Sequence, residues 1–235
     1  MSKLTWDDAG KRRYESGVSK GVLYPQENDK YPKGYAWNGL TSVTESPDGA
    51  EPTDLWADNM KYASMRSAET FGGTIEAYTY PDEFAECDGS KTVDGALGLK
   101  IGQQERKSFG LCYRTEIGTD TNANAGYLLH LIYNATCSPS EKAYETINDS
   151  PDAITMSWEF DTTPIEIKNQ TTLKHTSVLT IDSTKFDDQT KSRLKALEDK
   201  LYGTDGTEGT TGKDPELPLP HEVIAILTGT QASNP

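Results

Sequence analysis

Two apolar segments that face each other across one long polar hairpin loop constrain this chain most. Residues 108–117 (SFGLCYRTEI) alternate, with Phe109, Leu111, Tyr113, Thr115 and Ile117 set against Ser108, Cys112, Arg114 and Glu116. That is the period of a strand with two different faces. Residues 127–133 (YLLHLIY) are apolar almost throughout, as expected of a central strand covered on both sides. The polar stretch 119–126 joins them as a hairpin. Further strands are expected at 37–46, 74–80, 153–160 and 177–182. They follow one another through turns, with no βαβ alternation, which predicts an antiparallel sandwich or barrel.

In 74–80, Ile75, Ala77 and Thr79 share one face, and Glu76, Tyr78 and Tyr80 the other. Residues 46–49 (SPDG) read as a turn. From Asn59 to Phe71 the spacing of Met60, Ala63, Met65 and Ala68 fits a short helix or an ordered loop. Pro81 ends the strand before it, and 82–89 read as an acidic loop. One helix is expected at about 188–202, with Asp187 or Asp188 as cap, Leu194, Leu197 and Leu201 on one stripe, and Gly203 as stop. Residues 203–214 are rich in Gly and Thr and predict a flexible loop. The prolines of 215–220 predict extended chain leading into a strand through Val223, Ile224 and Ile226. The domain plan is therefore an extended N-terminal arm (1–35), one β domain (36–227) with a protruding loop at about 47–73, and a frayed tail (228–235).

The chemistry is sparse. Among 235 residues there are 37 acidic and 23 basic ones, a net charge of −14, which argues against gripping nucleic acid through phosphate. Three cysteines at wide spacing form neither a disulfide framework nor a zinc pattern. His130, His175 and His221 lack partners at ligand spacing. Asp82, Glu83, Glu86 and Asp88 crowd one short segment, whereas a catalytic acid and its partner carboxylate oppose each other across a cleft. The stretch from Asp120 starts like a calcium loop but has Ala125 and Leu131 where Gly and Glu belong. Residues 17–21 (GVSKG) imitate a nucleophile elbow without its strand and helix. No enzyme activity, cofactor or metal is expected. Charged residues near the start (Lys3, Asp7, Asp8, Lys11) predict no secretion signal, and no apolar run is long enough for a membrane span.

Several segments in order, GYAWNGLTSVTESP (34–47), ADNMKY (57–62), AYTYPDEF (77–84), KSFGLCYRT (107–115) and PSEKAYETINDSP (139–151), resemble the major tail proteins of long-tailed bacteriophages of Gram-positive hosts. The resemblance runs from about residue 24 to 227. It implies a mainly β fold of the phage tail-tube type, an antiparallel β-sandwich or barrel with one flanking α-helix and extended N- and C-terminal arms. It also implies hexameric rings of this chain stacked into the tail tube, assembled in the host cytoplasm and residing in the virion tail. Its partners would be further copies of itself, a tape-measure protein, and tail terminator and distal tail proteins, with DNA passing through the channel without specific binding. On this reading Trp56, Asp58, Asn59, Lys61, Tyr62, Met65 and Phe71 are the candidate inter-subunit docking residues. Glu76 and Glu116 are the candidate acidic residues facing the channel. The alternative is a glycan-binding β-sandwich that stacks sugars on rings such as Trp56 and Trp158. A hydrolase using Glu83 and Glu86 comes last.

Overall fold

A computed structural model of the chain describes residues 4–49, 51–93, 98–144, 146, 153–168, 170, 172–206 and 211–230. In chain order the elements are β1 (Arg13–Pro25), β2 (Tyr35–Trp37), β3 (Leu40–Glu45), β4 (Asp48–Gly49), β5 (Pro52–Ala57), β6 (Met60–Arg66), β7 (Glu69–Thr70), β8 (Gly72–Ala77), α1 (Phe84–Cys87), β9 (Lys91–Thr92), β10 (Lys100–Ile101), β11 (Phe109–Thr119), β12 (Gly126–Cys137), β13 (Met156–Thr162), β14 (Val178–Asp182), a 3-10 turn (Ser183–Lys185), α2 (Lys191–Tyr202) and α3 (Pro220–Thr228).

The main sheet is antiparallel in the order β2-β1-β11-β12-β13-β8-β3. β12 is its centre and its fork. Leu128–Ile132 pair with β14, while Ala135–Cys137 pair with β13. Asn134, at a positive φ of 50°, sits at the bend between the two branches. The uniform apolarity of 127–133 follows from this position. Leu129, Leu131 and Tyr133 face one core, and Ile132 faces another.

The first core fills the concave side, where β3, β8 and β13 curl back toward β1. It holds Leu23, Trp37, Ile75, Phe109, Leu111, Trp158 and Phe160. Phe84 is its plug, with ring centroids 4.6 Å from Trp37, 5.2 Å from Trp158 and 5.7 Å from Phe109. The second core lies between the sheet and the helices. There Leu194, Leu197 and Leu201 of α2 meet Val22, Cys112, Leu129 and Leu131. Two buried phenols close it: Tyr24 donates to the Leu201 carbonyl at 2.6 Å, and Tyr133 to the Pro218 carbonyl at 2.9 Å.

The mainly β, antiparallel fold with a flanking helix is as the sequence predicts, and so are the strands at 109–119 and 126–137 and the helix ending at Gly203. The Asp187 carboxylate accepts from the Gln189 and Thr190 amides in the turn ahead of α2, but the N-cap position is Thr190 and makes no side-chain cap bond, so the cap expected at Asp187 or Asp188 is not formed.

Four local expectations are corrected. The region 59–71, read as a helix or loop, is extended: β5 and β6 form a hairpin whose turn is Asp58-Asn59. The segment 82–89 is not a solvated acidic loop, because one helical turn aims Phe84, Ala85 and Cys87 inward. The strand expected through Val223–Ile226 is a helix. Pro220 occupies its first turn, the Glu222 carboxylate accepts the Leu219 amide at 2.9 Å, and Gly229 ends it at φ 74°. The strand expected at 37–46 is broken by a turn at Asn38-Gly39. The stretch expected as an N-terminal arm runs from Arg13 as a strand between β2 and β11, with Val22–Pro25 buried. The frayed tail beyond 230, and 207–210 of the expected flexible loop, lie outside the described residues.

Candidate assembly surfaces

Beyond β3 and β8 the chain pairs again in the same antiparallel sense, through the separate short ladders β4–β7 and β5–β6. Glu45 pairs with Gly73, Asp48 with Thr70, Pro52 with Arg66, and Ala57 with Met60 at the tip. From Pro52 to Ala57, at about 3.3 Å per residue, the outer ladder spans roughly 17 Å. Asp58 (φ 53°) and Asn59 (φ 62°) supply the two positive-φ positions of a tight two-residue turn.

Register sorts this hairpin into two faces. Thr53 lies beside Met65, Leu55 beside Ala63, and Ala57 beside Met60, which makes one face apolar. The opposite face carries Asp54, Trp56, Lys61 and Ser64. Asp54 accepts from Lys61 Nζ at 2.7 Å and Ser64 Oγ at 2.9 Å. Tyr62 sits at a bulge opposite the Leu55–Trp56 step. Leu55, Trp56, Met60, Tyr62 and Met65 are 41, 69, 63, 76 and 61 % exposed. An amphipathic two-stranded ribbon with its apolar face in water is marginal by itself, and such a patch marks a contact surface.

The root of the hairpin is fastened to β11 and β12 through Glu45. The Tyr113 hydroxyl donates to Glu45, and the His130 ring stacks parallel on Tyr113 with centroids 4.6 Å apart. His130 Nδ1 stands 3.3 Å from Glu45 Oε1. His130 Nε2 lies 3.1 Å from the Thr115 hydroxyl. The His130 ring beside it holds the Glu45 carboxyl below the usual range, with Tyr113 assisting and burial opposing. Burial first, then the Glu45 carboxylate, push the Tyr113 hydroxyl far up.

A second surface is the convex face of β3, β8 and β13. Ser42, Thr44, Thr74, Glu76, Ser157, Glu159 and Asp161 alternate there with residues that point into the concave core. The strip is polar and acidic, with no basic residue among these positions. The core beneath the helices draws on β1, β11, β12 and β14 and takes nothing from these three strands. Glu76 accepts from Ser42 Oγ at 2.8 Å.

Six of the predicted docking residues, Trp56, Asp58, Asn59, Lys61, Tyr62 and Met65, thus share one protrusion. Phe71 does not join them: it is half-buried at the root, packed on the concave core. The two predicted channel acids are not brought together. Glu76 lies on the convex strip, whereas Glu116 pairs with Arg114 at 3.0 Å. That guanidinium covers the Tyr127 ring at 3.9 Å, and the Tyr127 hydroxyl donates to Glu198 of α2. Sequence reasoning missed Leu55 and Met60 on the apolar face, although the alternation Thr53, Leu55, Ala57 before Asp58-Asn59 signals them. It also missed Glu159 and Asp161, which alternate with Trp158 and Phe160.

Among the described residues no group of three or more His, Cys, Asp or Glu is arranged to hold a metal ion. No helix among them is long and apolar enough to cross a membrane. The cysteines are free and buried. Trp158, a sugar-stacking candidate, is fully buried in the concave core.

No protein-family model and no curated protein matches the sequence. Among solved structures, the chain is similar to one from the cryo-electron-microscopy structure of the anti-feeding prophage (AFP) baseplate, sixfold symmetrised. The likeness has a TM-score of 0.36 and 5 % identity, and covers 78 % of this chain and all of that one.

Proposed function

We propose that this chain is a structural, non-enzymatic subunit of a phage virion that stacks as hexameric rings into a tail tube, the conduit for genome delivery. The observation that carries this reading is the hairpin 52–66, where Leu55, Met60 and Met65 are exposed among the described residues. A ribbon of this kind becomes stable when a second molecule covers it. The sequence resemblance to major tail proteins supplies the identity of that second molecule, another copy. The convex strip supplies the second requirement of a conduit. Glu76, Glu159 and Asp161 give it a charge that repels phosphate, so a duplex would slide past and not adhere. Glu116, already neutralised by Arg114, adds little to such a wall. Tape-measure, terminator and distal tail proteins would meet the tube at its lumen and ends, assembly would occur in the host cytoplasm, and the product would reside in the virion.

Negative-stain microscopy and sedimentation velocity over a concentration series test this directly. Rings or tubes that grow with concentration are expected. A particle that stays monomeric at every concentration, also when mixed with tail-initiation components, refutes it.

One observation favours a second reading. Trp56 and Tyr62 are exposed together on the polar side of the hairpin and could stack on sugars. Specific signal on a glycan array, abolished by Trp56→Ala, would move the assignment to a glycan-binding module.

A further inference from the structure

A head-to-tail stack needs an acceptor for the hairpin elsewhere on the same chain, and the structure offers two apolar grooves. The larger, about 720 Å³, lies at the root of the hairpin among Ala68, Phe71, Pro164 and Val178, with Glu69, Lys174 and His175 also lining it. Docking there would lay two hairpins antiparallel, tip to root and root to tip. That contact is self-complementary and stops at a pair.

The other groove, about 340 Å³, is lined by Tyr78, Ala143, Tyr144, Ala153, Ile154 and Met156, with Lys142 at its rim. Its place is set by the sheet. β8 runs from the hairpin root at Gly72 to Ala77, which pairs with Met156 at the start of β13. The groove therefore begins where the ladder ends, at the opposite end of the strip from the hairpin. Tyr78, Tyr144 and Ile154 expose apolar surface around it.

We infer that this far-end groove is the seat of the hairpin of a neighbouring copy, so that each copy carries donor and acceptor at opposite ends of the β3–β8–β13 strip. The inference rests on the self-assembly reading and deepens it. Two features support it. Leu55, Met60 and Met65 on the donor and Tyr78, Tyr144 and Ile154 on the acceptor are both exposed and apolar, and their contact removes both from water. Because the two halves lie at opposite ends of a rigid sheet, the contact repeats along the strands and does not close.

Cysteine cross-linking of the full chain decides between the grooves, since the native cysteines are buried. Met60→Cys is mixed in one tube with Ile154→Cys and in another with Ala68→Cys, under mild oxidation. The far-end pair is expected to give at least about tenfold more disulfide-linked heterodimer, the ratio that about 1.4 kcal/mol of preference produces. Equal or greater yield from the root pair overturns the inference. As an independent measurement, Tyr144→Glu and Ile154→Glu should raise the concentration needed for assembly about tenfold or more, with thermal unfolding of the dilute chain unchanged. If the unmodified chain assembles and both groove variants assemble equally well, the groove assignment fails and the tube reading stands. If the unmodified chain neither assembles nor cross-links at either site, the tube reading fails and this inference with it.

Discussion

Replacing the three large apolar residues of the hairpin face with threonine (Leu55→Thr, Met60→Thr, Met65→Thr) separates what the hairpin does for assembly from what it does for folding. Threonine keeps the strand preference and the approximate width of the ribbon while removing most of its apolar area. In the isolated chain these side chains are 41, 63 and 61 % exposed, so most of their surface gains nothing from folding. Fully burying a Leu or Met side chain contributes about 1.5–3 kcal/mol. Scaled by the exposed fractions, covering this face is worth about 1–2 kcal/mol per residue and about 3–5 kcal/mol per docked hairpin. At about 1.4 kcal/mol per factor of ten, the triple variant should need two to three orders of magnitude more protein to assemble. Its dilute unfolding midpoint should move little, because exposed substitutions usually stay within about 0.5 kcal/mol. Sedimentation velocity across a concentration series gives the first quantity, and thermal unfolding at micromolar protein gives the second. A control on the opposite face, Lys61→Gln, breaks an exposed ion pair worth about 0.2–1 kcal/mol and should change assembly far less. Assembly of the triple variant at the unmodified concentration would refute the docking role. Large loss of dilute stability would show instead that the face is packed within its own chain.

Four further outcomes follow from the same structure. Phe84→Ala, which empties the plug between Trp37, Phe109 and Trp158, should cost about 3–5 kcal/mol in urea unfolding, and a loss under about 1 kcal/mol would contradict the packing. Gly73→Ala drives a methyl into the Thr44 carbonyl where the hairpin leaves the body, so it should destabilise by about 1–3 kcal/mol, and neutrality would mean the strands there are not so close. Because the folded state lowers the Glu45 carboxyl, its stabilisation is present above the ordinary carboxylate pKa and is lost as pH falls through the lowered value; Glu45→Gln should remove that part of the acid-side loss, and an unchanged pH profile would count against the His130–Glu45–Tyr113 contact. Burial pushes the Cys87 and Cys112 thiols up to about 12 and Cys137 higher still, so iodoacetamide at pH 8 should label none of them until the chain unfolds; rapid native labelling would refute their burial.

What the sequence reveals and conceals here has one physical origin. β11 and β12 are legible because each alternates between two cores of the same chain, and both cores leave their mark on the pattern. The inward face of β8 is legible for the same reason, since Ile75 and Ala77 meet Trp158 and its neighbours. α1 is not legible. One turn offers a single inward pair at helical spacing, Phe84 and Cys87, and its carboxylates dominate the composition. α3 is concealed by its own start: proline reads as a helix breaker, yet at the first turn it leaves no amide unpaired. The hairpin is the instructive case. Met60, Ala63, Met65 and Ala68 mimic helical spacing because a bulge at Tyr62 shifts the alternation by one residue, which places Met60 with Ala63 and Met65 on a single strand face. Only the other arm, Thr53-Asp-Leu55-Trp-Ala57, and the positive-φ pair Asp58-Asn59 keep the strand signal intact. A core inside the chain would have corrected this reading, because its remaining walls would recur elsewhere in the sequence at matching period. Leu55, Met60 and Met65 stay exposed, so no facing wall among the described residues leaves a matching period in the sequence. On the proposed docking, Tyr78, Tyr144 and Ile154, which look like scattered surface apolar positions in one copy, would supply that wall from a second copy.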